Sequence, residues 1–90
     1  MRIDVFLKKV CVVKSRSLAA KLCDEGKVLI DGRPAKSSKE VKVGDEVSVT
    51  HGPHELAFCV LALPEGNVSK AQATSYYRVT GQTQVSGPFD

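Results

Sequence analysis

The 90 residues of the chain suffice for one small domain, whose modest core leaves little room for a deep catalytic cavity. No apolar run approaches the roughly 18 residues that a membrane helix needs, and charged residues at positions 4, 8 and 9 interrupt any secretory signal, so we expect a cytosolic protein without a membrane partner. Residues 1–42 hold eleven Lys and Arg against five acidic residues, a net charge of +6, whereas residues 43–90 carry −3, and this asymmetry indicates a polyanionic partner for the basic half.

Two helices are expected at the start of the chain. Apolar residues at helical spacing predict a first helix over residues 3–10, with Lys8 on its basic side. Ser15 is a good N-cap candidate, and Gly26 suits the left-handed residue that follows many helices. The second helix is therefore expected over residues 16–25.

After the helices the hydrophobic period changes to two, which predicts strands. Asp31 and Gly32 are a strong signal for a two-residue hairpin, because a type I′ turn needs positive φ at both positions. Pro34, just after this turn, marks the edge of a sheet or the start of a strand. Short strands are expected at residues 27–30, 33–36, 46–50 and 55–63.

The order of these elements predicts an α+β fold, in which two N-terminal helices pack on a small antiparallel sheet of about four strands. We assign this domain to residues 1–65. Residues 66–90 are expected to form a short C-terminal extension, with a helical turn near 69–75, an extended piece at 76–79 that packs back, and a loose tail over 81–90.

The start of the second helix is the most informative local feature. Lys14 and Arg16 stand beside backbone N–H groups that are unpaired at a helix N-terminus and already favour an anion. The guanidinium group of Arg16 can bind two phosphate oxygens at once, and Lys21 extends the same face only in part. These residues predict a phosphate clamp, with Ser15 between the two cations; the alternative is an ordinary solvated helix start.

Two further basic segments accompany this clamp. Arg2 and Asp4 are expected to point away from the core, with Arg2 as a phosphate contact. The Asp4 side chain either favours the helix N-terminus by its charge or pairs with Arg2 or Arg16 and holds the guanidinium group in position. The loop that contains Lys36 and Ser37 is basic and rich in hydroxyl groups, which suits phosphate and ribose contacts, although a plain polar loop is the alternative.

Chemistry other than binding has little support in the sequence. His51 and His54 bracket a turn without a third or fourth ligand at zinc spacing, and no Ser, Cys or carboxylate pair stands in a catalytic pattern. The three cysteines lack CxxC spacing and are expected to be small buried hydrophobes in a reducing compartment. We therefore expect a protein that is not an enzyme and that needs no metal and no cofactor.

A longer pattern runs through the first half of the chain and consists of Arg2, Asp4, Leu7, Lys14, Ser15, Arg16, Ser17, Ala19, Leu22, Gly26, Val28, Ile30, Asp31, Gly32, Ala35, Lys36 and Ser37. It resembles the S-four (S4) RNA-binding domain, a family named after a small-subunit ribosomal protein and found also in pseudouridine synthases and some tRNA synthetases. The stretch from Val43 to Val47 resembles the closing turn and strand of that domain. The resemblance therefore covers residues 2–50.

The resemblance implies that the two helices and the hairpin loop form one RNA-binding face. It gives Asp4 the role of an organiser. At Ser15 this chain departs from quality-control members of the family that have a basic residue there, which weakens the clamp. The residues that the resemblance implies as RNA contacts are Arg2, Lys14, Arg16, Lys21, Lys36 and Ser37. We add Lys8 and Ser15 to the predicted RNA-binding residues, together with the organiser Asp4.

Stand-alone members of the family with a similar N-terminus are the ribosome quality control P proteins and the fifteen-kilodalton heat-shock proteins. Both kinds bind large ribosomal subunits obstructed by peptidyl-tRNA, and the first kind supports the addition of C-terminal alanine tails to the stalled nascent chain. The resemblance implies that this protein binds stalled large subunits through ribosomal RNA and tRNA and is a monomer off the ribosome. The alanine-tailing quality control factor is an implied further partner.

Three alternative functions remain open. The first is an RNA-binding subunit that guides an RNA-modifying enzyme. The second is a heat-shock factor that recycles large subunits carrying peptidyl-tRNA. The third is a protein–protein module whose basic face only keeps it in solution. A pull-down that returns an RNA-modifying enzyme and no ribosomal proteins would favour the first. Salt-insensitive binding to a protein, without affinity for structured RNA, would favour the last.

Overall fold

The hydrophobic period of the sequence divides the chain into a helical part followed by a sheet. The computed structural model describes residues 1–83. Among these residues, no helix is long and apolar enough to cross a membrane. The helices and strands are α1 (Ile3–Lys9), α2 (Arg16–Asp24), β1 (Val28–Ile30), β2 (Arg33–Pro34), β3 (Glu46–His51), β4 (His54–Val60), α3 (Lys70–Ala73) and β5 (Tyr77–Thr83).

Helices α1 and α2 begin and end close to the predicted positions, but their N-termini are held differently. The hydroxyl oxygen of Ser15 accepts a hydrogen bond from the backbone N–H of Leu18 at 3.1 Å, which confirms the predicted N-cap of α2. Gly26 has a φ of 74°, so the left-handed residue predicted after α2 is also confirmed. Helix α1 has no side-chain cap, and the backbone N–H of Ile3 donates instead to the carbonyl oxygen of Lys39 at 2.8 Å.

The five strands of residues 1–83 form one antiparallel sheet in the order β2-β1-β3-β4-β5. Asp31 and Gly32 connect β1 to β2 with φ angles of 52° and 81°, which confirms the prediction of positive φ at both positions of the turn. Because β2 is an edge strand, Pro34 interrupts no inner ladder of hydrogen bonds, as its place in the sequence predicts.

The two N-terminal helices pack on one face of this sheet, which confirms the predicted α+β fold. The rings of Phe6 on α1 and Phe58 on β4 stack with their centroids 6.2 Å apart. Burial follows a helical period in α1 and alternates along β3 and β4, so each element contributes one apolar side to the same core. The buried side chains that join helices and sheet are Ile3, Phe6, Leu7, Val10, Ala19, Leu22, Cys23, Val28, Ile30, Val47, Val49, Leu56, Phe58 and Val60.

Strand β5 extends further than the sequence predicts. Its start packs back on the sheet as expected, since the ring centroid of Tyr77 lies 5.0 Å from that of Phe58. The prediction of a loose tail over 81–90 is wrong for residues 81–83, because the edge of β4 supplies backbone partners for a segment with little apolar surface of its own. The rest of that predicted tail, residues 84–90, lies outside the described residues.

Helix α3 confirms the helical turn predicted near residues 69–75. It precedes β5, so residues beyond 66 contribute a strand to the same sheet as the N-terminal half of the chain. The division of the chain at residue 65 stays a prediction.

Phe58 contacts rings on both α1 and β5, so we expect its loss to be costly. The substitution Phe58→Ala should lower the free energy of unfolding by about 3–5 kcal/mol, because it leaves a cavity in a close-packed core. Urea unfolding followed by circular dichroism measures this change. The control is Val43→Ala at a side chain that is 61% exposed, with an expected change below about 0.5 kcal/mol. Equal losses in the two variants would contradict the packing role of Phe58.

Candidate nucleic-acid interface

The side chain of Asp4 is the centre of the candidate site. The prediction that it points away from the core is wrong, because it is only 2% exposed. Nη2 of Arg2 donates to Oδ2 of Asp4 at 3.1 Å, and Nε of Arg16 donates to the same oxygen at 3.3 Å. The backbone N–H of Val5 donates to Oδ1 at 2.8 Å. The alternative prediction, that Asp4 pairs with an arginine, is therefore confirmed for both arginines.

The burial of Asp4 explains why the two arginines converge. A buried carboxylate is strongly destabilising unless cations and hydrogen-bond donors compensate it, and the guanidinium groups of Arg2 and Arg16 supply both. Their side chains remain 43% and 56% exposed, so each group meets the carboxylate on one side and solvent on the other. We call these three side chains the Asp4 cluster. It presents two cations at the surface in positions set by the fold.

The loop of residues 36–41 is tied to the Asp4 cluster through the backbone. The backbone N–H of Asp4 donates to the carbonyl oxygen of Ser37 at 3.3 Å, and that of Ile3 donates to the carbonyl oxygen of Lys39 at 2.8 Å. These carbonyl groups occupy the start of α1, where an isolated helix would leave its N–H groups unpaired. The structure thus brings the predicted contact residue Ser37 next to the predicted organiser Asp4.

The start of α2 carries the predicted phosphate clamp next to this cluster. Arg16 is the first residue of α2, and Lys14, Ser15 and Arg16 are exposed. The hydroxyl group of Ser15 caps the helix by accepting from the N–H of Leu18, so it stabilises the backbone on which the two cations stand. The clamp and the Asp4 cluster share Arg16 and form one basic surface.

Lys8 and Lys21 are exposed, but in the part of the chain that the structure describes no hydrogen bond or ion pair joins their side chains to the Asp4 cluster. Lys8 follows Asp4 by four residues, so it lies on the same side of α1 one turn later. Lys21 follows Arg16 by five residues, which places it roughly 140° around the helix axis. Both stay predicted contacts, with Lys8 better placed than Lys21.

A hollow of about 680 Å³ opens beside the 36–41 loop, on the side of the edge strand β2. Three exposed cations line it: the predicted contact Lys36, Lys39 of the same basic loop, and Arg33, which the sequence does not single out as a site residue. Their spacing of three residues within one basic hairpin and loop was the available signal. The lining residues are Ile30, Asp31, Arg33, Pro34, Ala35, Lys36, Ser38 and Lys39.

Two groups in the described part of the chain bear on what the site can do. The Nε–H of Arg2 is buried and has no hydrogen-bond partner among residues 1–83, and an unsatisfied buried donor of this kind is uncommon in folded proteins. No cluster of three or more His, Cys, Asp or Glu side chains within residues 1–83 is arranged to hold a metal ion, so His51 and His54, which face each other across β3 and β4, form no such group. The arrangement is suited to binding an anion.

The comparisons with known proteins agree with this geometry. Residues 1–47 match the S4 domain. The chain belongs to the S4 domain family. The matched residues include the Asp4 cluster, both N-terminal helices, the β1–β2 hairpin and the 36–41 loop.

The relatives share both sequence and fold with this chain. It is 37% identical over 79 residues to an RQC P-site tRNA stabilizing factor of Bacillus subtilis, a match that covers 88% of this chain and 91% of the relative. It is 44% identical over 64 residues to the factor with the same name from Helicobacter pylori, and this match covers 71% of this chain and 76% of the relative. The trimeric structure of Vibrio cholerae Heat Shock Protein 15 superposes with a TM-score of 0.83 at 30% identity, covering 89% of this chain and 81% of that one.

The substitution Asp4→Asn tests the role of the buried carboxylate. It keeps the size of the side chain but removes the charge that two guanidinium groups face. We expect the free energy of unfolding to fall by about 1–3 kcal/mol, less than for a fully buried pair because both arginines can still reach water. Urea unfolding at neutral pH measures the change. Asp24→Asn, at the exposed end of α2, is the matched control and should show no loss. Similar losses in both variants would contradict a special role for Asp4.

Cys23 on α2 provides a second test of the interior below this site. Burial raises the pKa of its thiol to about 11, and the negative charges of Asp4 and Asp24 act in the same direction. Because the thiolate is the reactive form, alkylation of Cys23 at pH 8 should be roughly a hundredfold slower than that of an unperturbed thiol. Iodoacetamide labelling followed by mass spectrometry measures the rate, with the same residue in the urea-unfolded chain as reference. Equal rates in the folded and unfolded chains would contradict this expectation.

Proposed function

We propose that this protein is an RNA-binding factor of ribosome-associated quality control that holds tRNA on stalled large ribosomal subunits. The observation that carries the proposal is the Asp4 cluster, which fixes two outward-facing guanidinium groups beside a helix N-terminus. Such groups bind phosphate oxygens in pairs, and contacts to the phosphate backbone supply most of the non-specific affinity for nucleic acid. The mechanism is electrostatic and geometric and involves no covalent step.

Shape recognition of structured RNA fits the composition of this surface. Tyr76 and Tyr77 are the adjacent aromatic residues of the chain, and both lie on the C-terminal side, packed against the core. The basic surface therefore offers phosphate and ribose contacts more than a platform for stacked bases. In this proposal Arg2, Lys14, Arg16, Lys36 and Ser37 contact RNA, Lys8 and Lys21 extend the surface, Ser15 caps α2, and Asp4 orients the arginines.

The names of the relatives support the proposal that this protein binds on the ribosome. They describe factors that stabilise tRNA in the P site, and membership of the S4 domain family supports contact with ribosomal RNA as well. We propose that this protein likewise contacts P-site tRNA and large-subunit ribosomal RNA, in the cytoplasm. Assistance to C-terminal alanine tailing, with the tailing factor as partner, is the finer part of the proposal.

A heat-shock factor that recycles obstructed large subunits is the second candidate. The close superposition with Heat Shock Protein 15 favours it. The two candidates differ in what they predict for stalled nascent chains. Only the quality-control factor predicts that deletion of the gene removes the alanine tails from these chains. Mass spectrometry of nascent chains from the deletion strain and from the complemented strain separates them.

Arg16 is the residue shared by the cluster and the start of α2, so its loss should weaken RNA binding most clearly. We expect Arg16→Ala to weaken binding to large subunits by about 1–3 kcal/mol and to lower the slope of affinity against salt by about one ion. Co-sedimentation with purified large subunits at several salt concentrations measures both quantities. Arg16→Lys keeps the charge but not the planar fork, and should recover the salt dependence more fully than the affinity.

Arg78→Ala is the matched control, since it removes an exposed arginine from β5. Its effect on co-sedimentation should be small, and circular dichroism should show that all variants fold. Ultraviolet crosslinking followed by RNA sequencing identifies the bound RNA, with large-subunit RNA and tRNA as the expected partners. Unchanged co-sedimentation of a folded Arg16→Ala variant would remove Arg16 from the site, and crosslinks without ribosomal RNA or tRNA would overturn the ribosomal assignment.

A further inference from the structure

The hollow beside β2 is larger than a phosphate contact requires. Its volume of about 680 Å³ lies within the range of sites that enclose small organic ligands. We propose that it holds one unpaired nucleotide of the bound RNA, with the base against the wall formed by Arg33 and Pro34 and the adjoining phosphates near Lys36 and Lys39. This inference rests on the proposed function, because it adds a second contact to the same RNA.

The lining of the hollow combines the two properties that a nucleotide needs. Ile30 and Ala35 are buried and form an apolar floor, whereas the exposed cations stand around the rim. Asp31 is the acidic side chain of the lining, and its Oδ1 accepts from the backbone N–H of Glu46 at 3.1 Å, so three cations stand against one carboxylate. The rim therefore attracts phosphate, and the floor accepts an apolar ring.

Arg33 gives this hollow a means of holding a base without an aromatic residue. In sequence-specific RNA recognition, unstacked bases stack on aromatic rings or on the plane of an arginine guanidinium group. Arg33 follows the hairpin turn on edge strand β2, where its side chain is exposed. A base that projects from a helix can reach this group, whereas a base stacked inside a duplex cannot.

The walls of the hollow are fixed by backbone hydrogen bonds. The N–H of Ala35 donates to the carbonyl oxygen of Val28 at 2.9 Å, and the N–H of Lys39 donates to the carbonyl oxygen of Lys36 at 2.9 Å. The carbonyl oxygen of Lys39 in turn accepts from Ile3 at the start of α1. The backbones of the hollow and of the Asp4 cluster are thus joined in one frame, which lowers the backbone freedom lost when both contact the same RNA.

Binding to three RNA hairpins tests the inference: one fully paired, one with a single bulged nucleotide, and one in which the bulged nucleotide lacks its base. We expect the wild-type protein to bind the bulged hairpin about tenfold more tightly than the paired one, in the range of one stacked base. The abasic bulge should lose most of this preference. Fluorescence anisotropy at constant salt measures the three affinities.

The variants separate the hollow from the rest of the surface. Arg33→Gln combined with Lys39→Gln should abolish the preference for the bulge while the hairpin without a bulge still binds. Lys70→Gln combined with Arg78→Gln removes the same charge from exposed positions of the C-terminal half and should keep the preference. Thermal unfolding of both double variants checks that they fold like the wild type.

The outcomes distinguish this inference from the proposed function. Equal wild-type affinity for the bulged and paired hairpins, or for the bulged and abasic hairpins, would overturn the nucleotide site and leave the proposed function standing. A preference that survives in the Arg33→Gln and Lys39→Gln double variant would remove it from the hollow. A wild-type protein that binds none of the three hairpins would also overturn the nucleotide site, whereas the proposed function is judged separately by co-sedimentation with large subunits.

Discussion

The carboxylate of Asp4 lies where α1, α2 and the 36–41 loop meet, and the rest of the site depends on it. A buried negative charge in a small domain needs compensation, which two guanidinium groups and a backbone N–H provide. The same residue fixes the loop, because its own N–H donates to the carbonyl oxygen of Ser37. Folding therefore places Arg2 and Arg16 beside this carboxylate in the absence of any ligand.

This placement changes what the arginines can contribute to binding. A free surface arginine loses roughly 2 kcal/mol of side-chain entropy when it is immobilised. Arg2 and Arg16 are already restrained by Asp4, so much of that loss has occurred before RNA arrives. The restraint also couples the site to the fold. The free energy of unfolding of a small domain is about 5–15 kcal/mol, and breaking the pairing of a buried charge removes a sizeable part of it. In the proposed function, substitutions within the Asp4 cluster therefore affect both stability and RNA affinity.

The sequence predicts those elements whose signals are local. Ser15 as a cap, Gly26 after α2 and the Asp31–Gly32 turn each act through the backbone of their immediate neighbours, and all three are confirmed. The burial of Asp4 could not be predicted locally, because Arg16 lies 12 residues further along the chain and the carbonyl group that accepts from the N–H of Asp4 lies in a loop after the hairpin. The full length of β5 and the hollow could not be predicted from the sequence for the same reason. The length of a polar strand such as β5 depends on the strand edge with which it pairs. A hollow forms only when a hairpin and a loop fold beside each other.

The two helix starts differ in a way that follows from these contacts. The first N–H groups of α1 are taken by the carbonyl oxygens of Ser37 and Lys39, so the start of α1 serves to anchor the loop. The start of α2 has a side-chain cap from Ser15 and stands between Lys14 and Arg16 at the surface, where an anion can approach it. In the proposed function the backbone of RNA therefore meets α2 and the Asp4 cluster, while α1 acts indirectly by holding the 36–41 loop and its hollow at a fixed distance. A single buried carboxylate thereby relates two proposed binding features that lie on different segments of the chain.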